Sequence, residues 1–352
     1  MAATRILVVD DSVVVRKLVT EHLGAVPGLE VIGTAANGKI ALRKIELERP
    51  DLVVLDVEMP VMGGLETLRE IKQRDASILV IMFSSFTTAG AQVTVDALTL
   101  GAEDYVAKPA DMLDADAGVK RIREDLVEKI HLLTGCGTAP PMPAAPAVKP
   151  PAPDVPLGAI DCLVIGSSTG GPNALAELFS RLPAALPVPI LVVQHMPAVF
   201  TPHLAERLTR ESVLPVTEAA DGMHPEAGHA YIAPGGRHLL VARDGARPVL
   251  RLDDSPPVNS CRPAADKLFA SAQATFGRRV LAVVLTGMGE DGLDGARAVH
   301  EAGGRVLVQD EASSVVWGMA GAVARAGLPD AALPLHDLAD EIVRRARVGR
   351  LR

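Results

Sequence analysis

The sequence predicts an α/β protein made of two parallel-sheet units, each with helices on both faces of its sheet. Three observations predict it. Short apolar runs alternate with helix-period segments in both halves, those runs end in polar or small residues, and a proline–alanine stretch parts the halves. Ile6–Val9 reads as a first strand, and Ser12 can cap a helix carrying Val15, Leu18, Val19 and Leu23. Val31–Ile32 and Ile40–Ile45 repeat the strand–helix pair. Leu52–Leu55 is apolar throughout, as a strand covered on both faces must be. Ile78–Phe83 and Asp104–Ala107 complete five strands, and hence an open parallel sheet. Residues 138–156 hold eight prolines in 19 residues, which forbids helix or sheet and favours an extended spacer. Beyond it, Cys162–Ile165, Ile190–Val193, Ala230–Ile232, Val280–Leu285 and Arg305–Val308 read as strands. Asn173–Ser180, Pro202–Thr209, Pro263–Ala274 and Leu293–Ala302 read as helices of a second doubly wound unit.

Composition narrows the function classes. A chain of 352 residues that is 48% hydrophobic and 22% charged can fill two cores, and with only 3% aromatics those cores must rest on Val, Leu, Ile and Ala. A net charge of −8 argues against a nucleic-acid partner, which would need a Lys/Arg surface to replace counterions. Cys136, Cys162 and Cys261 form no disulfide or zinc pattern and read as reduced thiols of a cytoplasmic protein. No secretory signal is visible, and no stretch reaches the ~18 apolar residues of a membrane span, so no membrane insertion is expected.

The chemistry sits at strand ends. Asp10 and Asp11 end the first strand and Asp56 the third; Ser84 ends the fourth and Lys108 follows the fifth. In a doubly wound sheet these ends converge on one crevice. Three carboxylates there need a cation, and Mg2+ suits oxygen ligands that leave room for a phosphate. Lys108 supplies a compact positive charge for phosphoryl oxygens and Ser84 a hydroxyl.

In the second half, I-G-S-S-T-G-G-P runs from strand into turn into helix and frames Ser168 as G-x-S-x-G. The glycines allow a sharp turn, and the helix N-terminus favours a nearby oxyanion. His195 follows the strand ILVVQ, and Asp291 follows LAVVL within TGMGEDG. Ser168 as nucleophile, His195 as base and Asp291 as orienting carboxylate would suffice for acyl transfer. Spacing leaves His203, His224, His229 and His238 open as competing bases, and leaves Asp291 open as a helix N-cap before Leu293. The order Ser, His, Asp differs from the Ser, Asp, His order of α/β-hydrolases.

VVDDS, VLDVEMPVMGG, the serine after VIMF, and DYVAKP resemble the receiver domain of two-component response regulators. The resemblance implies a flavodoxin-like receiver over residues 4–125. It implies Asp56 as phosphoacceptor, and Asp10, Asp11, Asp56 and the backbone carbonyl of Glu58 as Mg2+ ligands. Ser84, Lys108 and Tyr105 would be switch residues, and a chemotaxis histidine kinase the phosphodonor. IGSSTGGP, QHMP, GHAYIAPGGRH, LTGMGEDG and EASSVVWGMA resemble the catalytic domain of the chemotaxis methylesterase (CheB) family, over residues 158–350 with 126–157 as linker. That resemblance implies Ser168, His195 and Asp291 as the triad, with Thr169 and the backbone of Met288 binding the oxyanion, and no cofactor for the esterase. It implies methylated glutamates of chemoreceptors as substrate, glutamine deamidation beside it, and a receiver that restricts the active site until phosphorylated. The alternative is the same hydrolysis on receptors of a non-chemotaxis signalling array. Ser167, where the family commonly has alanine, places a second hydroxyl beside the nucleophile.

Overall fold

A computed structural model of the chain describes residues 3–84, 87–108, 115–136 and 159–348. The chain divides into two compact units, residues 1–142 and 143–352. The proline-rich segment read from the sequence, residues 138–156, lies outside the described residues.

The first unit alternates β1 (Thr4–Val9), α1 (Val13–Gly24), β2 (Leu29–Ala35), α2 (Gly38–Glu48), β3 (Leu52–Asp56), α3 (Gly64–Arg74), β4 (Leu79–Ser84), α4 (Thr88–Thr99), β5 (Asp104–Ala107) and α5 (Ala115–Thr134). All five strands are parallel, in the order β2-β1-β3-β4-β5. Chain order reverses between β1 and β3, so the carboxyl ends of those two strands open a crevice. Ser12 caps α1 as expected, its hydroxyl accepting from Val15 N. One face of the sheet buries Ile6, Val8, Val54, Ile81 and Phe83 together with Val19 and Leu23 of α1 and Leu126 and Ile130 of α5. That packing carries α5 through Thr134. The expected boundary at residue 125 therefore falls inside a helix that belongs to the first unit, because Leu126 and Ile130 are core residues there.

The second unit contains β6 (Cys162–Ser167), α6 (Gly171–Arg181), β7 (Ile190–Gln194), α7 (Thr201–Glu211), β8 (Val216–Glu218), β9 (Ala230–Ile232), β10 (His238–Asp244), β11 (Arg247–Asp253), α8 (Ala265–Phe276), β12 (Val280–Val284), α9 (Leu293–Glu301), β13 (Arg305–Gln309), α10 (Met319–Arg325), β14 (Ala331–Leu333) and α11 (Leu335–Arg347). Seven parallel strands lie in the order β14-β13-β12-β6-β7-β9-β8, and β10 pairs antiparallel with β11 apart from them. The five expected strands are β6, β7, β9, β12 and β13. The sequence reading missed the three-residue edge strands β8 and β14, and the hairpin. The central strands are apolar and fully buried on both faces, as parallel strands under helices must be. Chain order reverses between β6 and β12, which makes the carboxyl ends of those strands a switch point with the loop after β7 beside it. No helix among the described residues is long and apolar enough to cross a membrane.

Candidate active site and phosphoacceptor site

The turn after β6 is built by backbone bonds. Ser168 N donates to the Thr286 carbonyl at 3.0 Å, and Gly171 N donates to the Ser168 carbonyl at 2.7 Å, starting α6. Gly170 adopts φ 75°, and a Cβ there would sit 2.6 Å from Cβ of Val315, so a side chain is excluded on both counts. Gly287 lets the loop after β12 close on the serine, since its Cβ would lie 2.8 Å from that of Ser168. Thr286 fastens the same corner: its hydroxyl donates to the Thr169 carbonyl at 2.9 Å and accepts from Val316 N at 2.9 Å.

The two neighbouring hydroxyls are separated by this geometry. Ser167 is fully buried and donates to Gln194 Oε1 at 2.8 Å. Gln194 Nε2 in turn donates to the carbonyls of Ser168 and His195, at 2.9 and 3.2 Å. Ser168 is half-exposed, and its hydroxyl makes no hydrogen bond among the described residues. Ser167 is thus committed to positioning the loops, and Ser168 remains the serine open to an ester. The N–H groups of Thr169 and Met288 also make no hydrogen bond among the described residues and so have their donors available.

His195 leaves β7 with its N–H on the Ser167 carbonyl at 3.0 Å. Its Nε2 meets Asp291 Oδ2 at 2.7 Å. Asp291 is 1% exposed and accepts from Ala265 N at 2.6 Å and Asp266 N at 3.1 Å, so it caps α8. The sequence pattern had left Asp291 open as the cap of the following helix; there Gly292 takes that position and Asp266 supplies the carboxylate, accepting from Gly292 N and Gly295 N. Two acids 25 residues apart thus cap each other's helices. Burial raises Asp266 above the usual carboxylate range, and the charge of Asp291 adds to it. Burial also pushes on Asp291, but its bond to His195 and the two N–H donors outweigh that and hold it below the usual range.

Asp291 on Nε2 makes that nitrogen the donor and leaves Nδ1 with the lone pair. The two nitrogens therefore exchange the roles they have in the common Ser-His-Asp arrangement, where the acid holds Nδ1. Nδ1 faces Cys261 Sγ at 3.5 Å, and no hydrogen bond joins it to Ser168 Oγ among the described residues. The structure so unites His195 and Asp291 directly, and brings the Ser168 turn beside them through Gln194. Burial disfavours the imidazolium, yet the contacts with Asp291 and Cys261 outweigh it and raise His195 to about 9. A base must be neutral to accept a proton. The kcat/KM for a methyl ester is expected to climb roughly tenfold per pH unit up to about pH 9 and then level off. A profile already flat at pH 7 would contradict this.

The competing histidines are engaged elsewhere. His238 is buried and bonded to Ala264 N and the Pro256 carbonyl. His203 meets Glu206, His224 the Pro248 carbonyl and His229 the Thr217 hydroxyl. Cys261, Asp266, Gln194 and Thr286 were missed as site residues by the sequence reading. Only Gln194 carried a local signal, as the residue before His195 in QHMP.

In the first unit, Asp10, Asp11 and Asp56 bring one carboxylate oxygen each to within 4.8 Å of one another. Lys108 Nζ lies 2.7 Å from both Asp10 Oδ2 and Asp56 Oδ1. Asp10 is 1% exposed and its Oδ2 has no aligned hydrogen-bond donor. Three acids, two of them sharing one lysine, with an oxygen of each within reach of one ion, fit a hard cation. Glu58 is adjacent, its N–H donating to Asp56 Oδ1 at 3.4 Å. Burial raises Asp56 to about 6, with Lys108 opposing and Asp10 assisting. Ser84 is buried and its hydroxyl donates to the Gly90 carbonyl at 3.3 Å. Tyr105 is buried too; burial and neighbouring Asp104 and Asp125 hold its phenol well above the usual range, so it stays neutral.

Known proteins match both units of the chain. The family model for the CheB methylesterase matches residues 163–342, and that for the response regulator receiver domain matches residues 6–120. The chain belongs to the CheB methylesterase family. A Trichodesmium erythraeum protein named protein-glutamate methylesterase/protein-glutamine glutaminase is 48% identical over 98% of this chain and 99% of its own length. A Nocardioides protein of the same name is 50% identical over 98% of this chain and 96% of its own. The crystal structure of the Thermotoga maritima CheB methylesterase catalytic domain superposes with a TM-score of 0.52 at 41% identity, covering 53% of this chain and 99% of that one. CheB membership and the receiver match agree with the expected fold class, a five-stranded parallel receiver and a parallel-sheet methylesterase unit.

Proposed function

We propose that this chain is a phosphorylation-activated serine esterase that hydrolyses glutamate methyl esters of chemoreceptors and deamidates receptor glutamines. The arrangement that carries the chemistry is the buried Asp291–His195 pair, held next to the Ser168 turn by Gln194 and by the His195 N–H on the Ser167 carbonyl. Ser168 Oγ attacks the ester carbonyl as its proton passes to His195 Nδ1. The oxyanion forms against the N–H groups of Thr169 and Met288. Collapse expels methanol, which takes the proton from His195, and water repeats the sequence to release the free glutamate. A glutamine side chain follows the same course with ammonia as leaving group.

Control lies in the first unit, taken as residues 4–125 with the rest of α5, and the catalytic unit spans residues 158–350. Asp56 accepts a phosphoryl group from a chemotaxis histidine kinase. Asp10, Asp11, Asp56 and the Glu58 carbonyl would hold Mg2+, which when bound neutralises phosphoryl oxygens. Lys108 and Ser84 meet the new charge of about −1.5 to −2 and, with Tyr105, shift the receiver between two packings. Substrate, kinase and free cysteines suit a cytoplasmic protein that binds no nucleic acid.

Methanol release from methylated chemoreceptor membranes tests the reading. A small phosphodonor should raise the rate of the wild-type chain, and Asp56→Asn should abolish the rise while leaving the basal rate. Because the attacking carboxylate must be ionised, and Asp56 sits at about 6, phosphorylation should slow as pH falls through that value. Equal stimulation of Asp56→Asn would refute this control.

A further inference from the structure

We propose that His195 and Cys261 form a binding site for a zinc-class divalent cation, which silences the esterase by taking the lone pair of its base. Cys261 Sγ lies 3.5 Å from His195 Nδ1. Zinc binds sulfur at about 2.3 Å and imidazole nitrogen at about 2.0–2.1 Å, so two such ligands at a tetrahedral angle stand about 3.5 Å apart. The separation, spanned here by a thiol–imidazole hydrogen bond, is thus also that of two ligands of one ion.

The surroundings hold both ligands in place. Asp291 occupies the other ring nitrogen at 2.7 Å, the carboxylate–histidine relation that fixes a metal-binding imidazole and raises its basicity. The ring cannot swing away without abandoning a carboxylate that also caps α8. Cys261 is delivered by a tight turn: Val258 and Cys261 exchange backbone bonds at 3.1 and 2.8 Å, while Asn259 and Ser260 take φ 49° and 62°. Left-handed backbone at two successive non-glycine residues persists only where surroundings impose it. Here Asn259 Nδ2 donates to Asp266 Oδ2 at 3.1 Å, tying the thiol's turn to the helix cap that also holds Asp291. The donor atoms of His195, Cys261 and Asp291 all lie within 4.8 Å of one another. Asp291 faces the far side of the ring, so the cation takes Nδ1 and Sγ from the protein and water at its other positions. A thiolate and a neutral imidazole favour zinc or cadmium over the hard cation that suits the acids of the first unit. The thiol is only partly buried and the imidazole side chain is 13% exposed, which leaves an approach.

One lone pair on Nδ1 cannot accept the Ser168 proton and bind a cation together. The inhibitory part of the proposal rests on the esterase reading above; the ion site does not. Full-length protein freed of metal is titrated with Cd2+, and the near-ultraviolet cadmium–thiolate band is followed together with methyl-ester hydrolysis. One equivalent should develop the band in the wild type and in Cys136→Ser, and the band should be lost in Cys261→Ser. The rate should fall about 10²-fold at saturation, the contribution of a general base, and return on adding a chelator. Each variant is compared with its own metal-free rate, and Cys261→Ser should not respond. On the unaltered chain, Zn2+ should protect Cys261 from alkylation, read by peptide mass. Equal bands in wild type and Cys261→Ser, or a Cys261 band with no loss of rate, would overturn the proposal. Absence of hydrolysis from metal-free protein would count against the esterase reading alone, and the band and the alkylation would still decide the site.

Discussion

Ser168→Ala is expected to lower kcat for methyl-ester hydrolysis by about 10⁶-fold, to the level left by the oxyanion donors and substrate binding alone. The neighbouring Ser167 cannot take over. Ser167 is the nearest in sequence, but it is fully buried and its hydroxyl points to Gln194 Oε1. Ser167→Ala should therefore behave differently. It leaves Gln194 Oε1 without its donor inside the protein, at a cost of about 1–3 kcal/mol in stability, while kcat stays within about tenfold of wild type. Steady-state methanol release and thermal unfolding of the two variants separate the roles. If Ser167→Ala were the dead variant and Ser168→Ala the active one, the assignment of the nucleophile would be reversed.

The turn that carries Ser168 is legible in local pattern, and the family resemblance selects that serine within it. A strand, two glycines around a serine and a helix start lie within eight residues, and each is set by backbone conformation that sequence expresses directly. The acids and lysine of the first unit were legible for a similar reason, since strand ends of a doubly wound sheet are fixed once its strands are found. What escaped was tertiary. The reciprocal capping of Asp266 and Asp291 joins helices whose relation no periodicity encodes. Cys261 reaches His195 across 66 residues by way of a turn containing two left-handed residues, and a lone cysteine in a polar stretch carries no sign of that. Strands β8 and β14 are three residues each, too short to show alternation. The β10–β11 hairpin did leave a trace: Gly245-Ala246, with glycine first at φ 58°, makes a two-residue turn between the paired Asp244 and Arg247. The span implied by the receiver resemblance stops at residue 125, whereas Leu126 and Ile130 continue a buried helical stripe to Thr134.

Asp291→Asn tests the other half of the proton relay, with kcat expected to fall about 10⁴-fold, the loss seen when an orienting carboxylate becomes an amide. The reason lies in the bonds Asp291 makes. Its Oδ2 serves both His195 Nε2 and Ala265 N, and its Oδ1 serves Asp266 N. An amide has one acceptor. With oxygen toward His195, the NH2 group faces the N–H of Asp266, donor against donor. With the amide reversed, NH2 faces Nε2, the ring proton moves to Nδ1, and the nitrogen that must receive the Ser168 proton is already occupied. Either orientation should also cost about 1–3 kcal/mol of folding stability through the broken α8 cap. The pH behaviour separates lost orientation from general damage. Burial already disfavours the imidazolium, and Asp291 is the largest opposing influence, so removing its charge should move the midpoint of the residual rate's ascending limb from about 9 toward neutrality. Asp266, relieved of a like-charged neighbour, should ionise more readily in the variant. A variant within tenfold of the wild-type kcat, with its limb unmoved, would show that the carboxylate caps a helix and does nothing for the base.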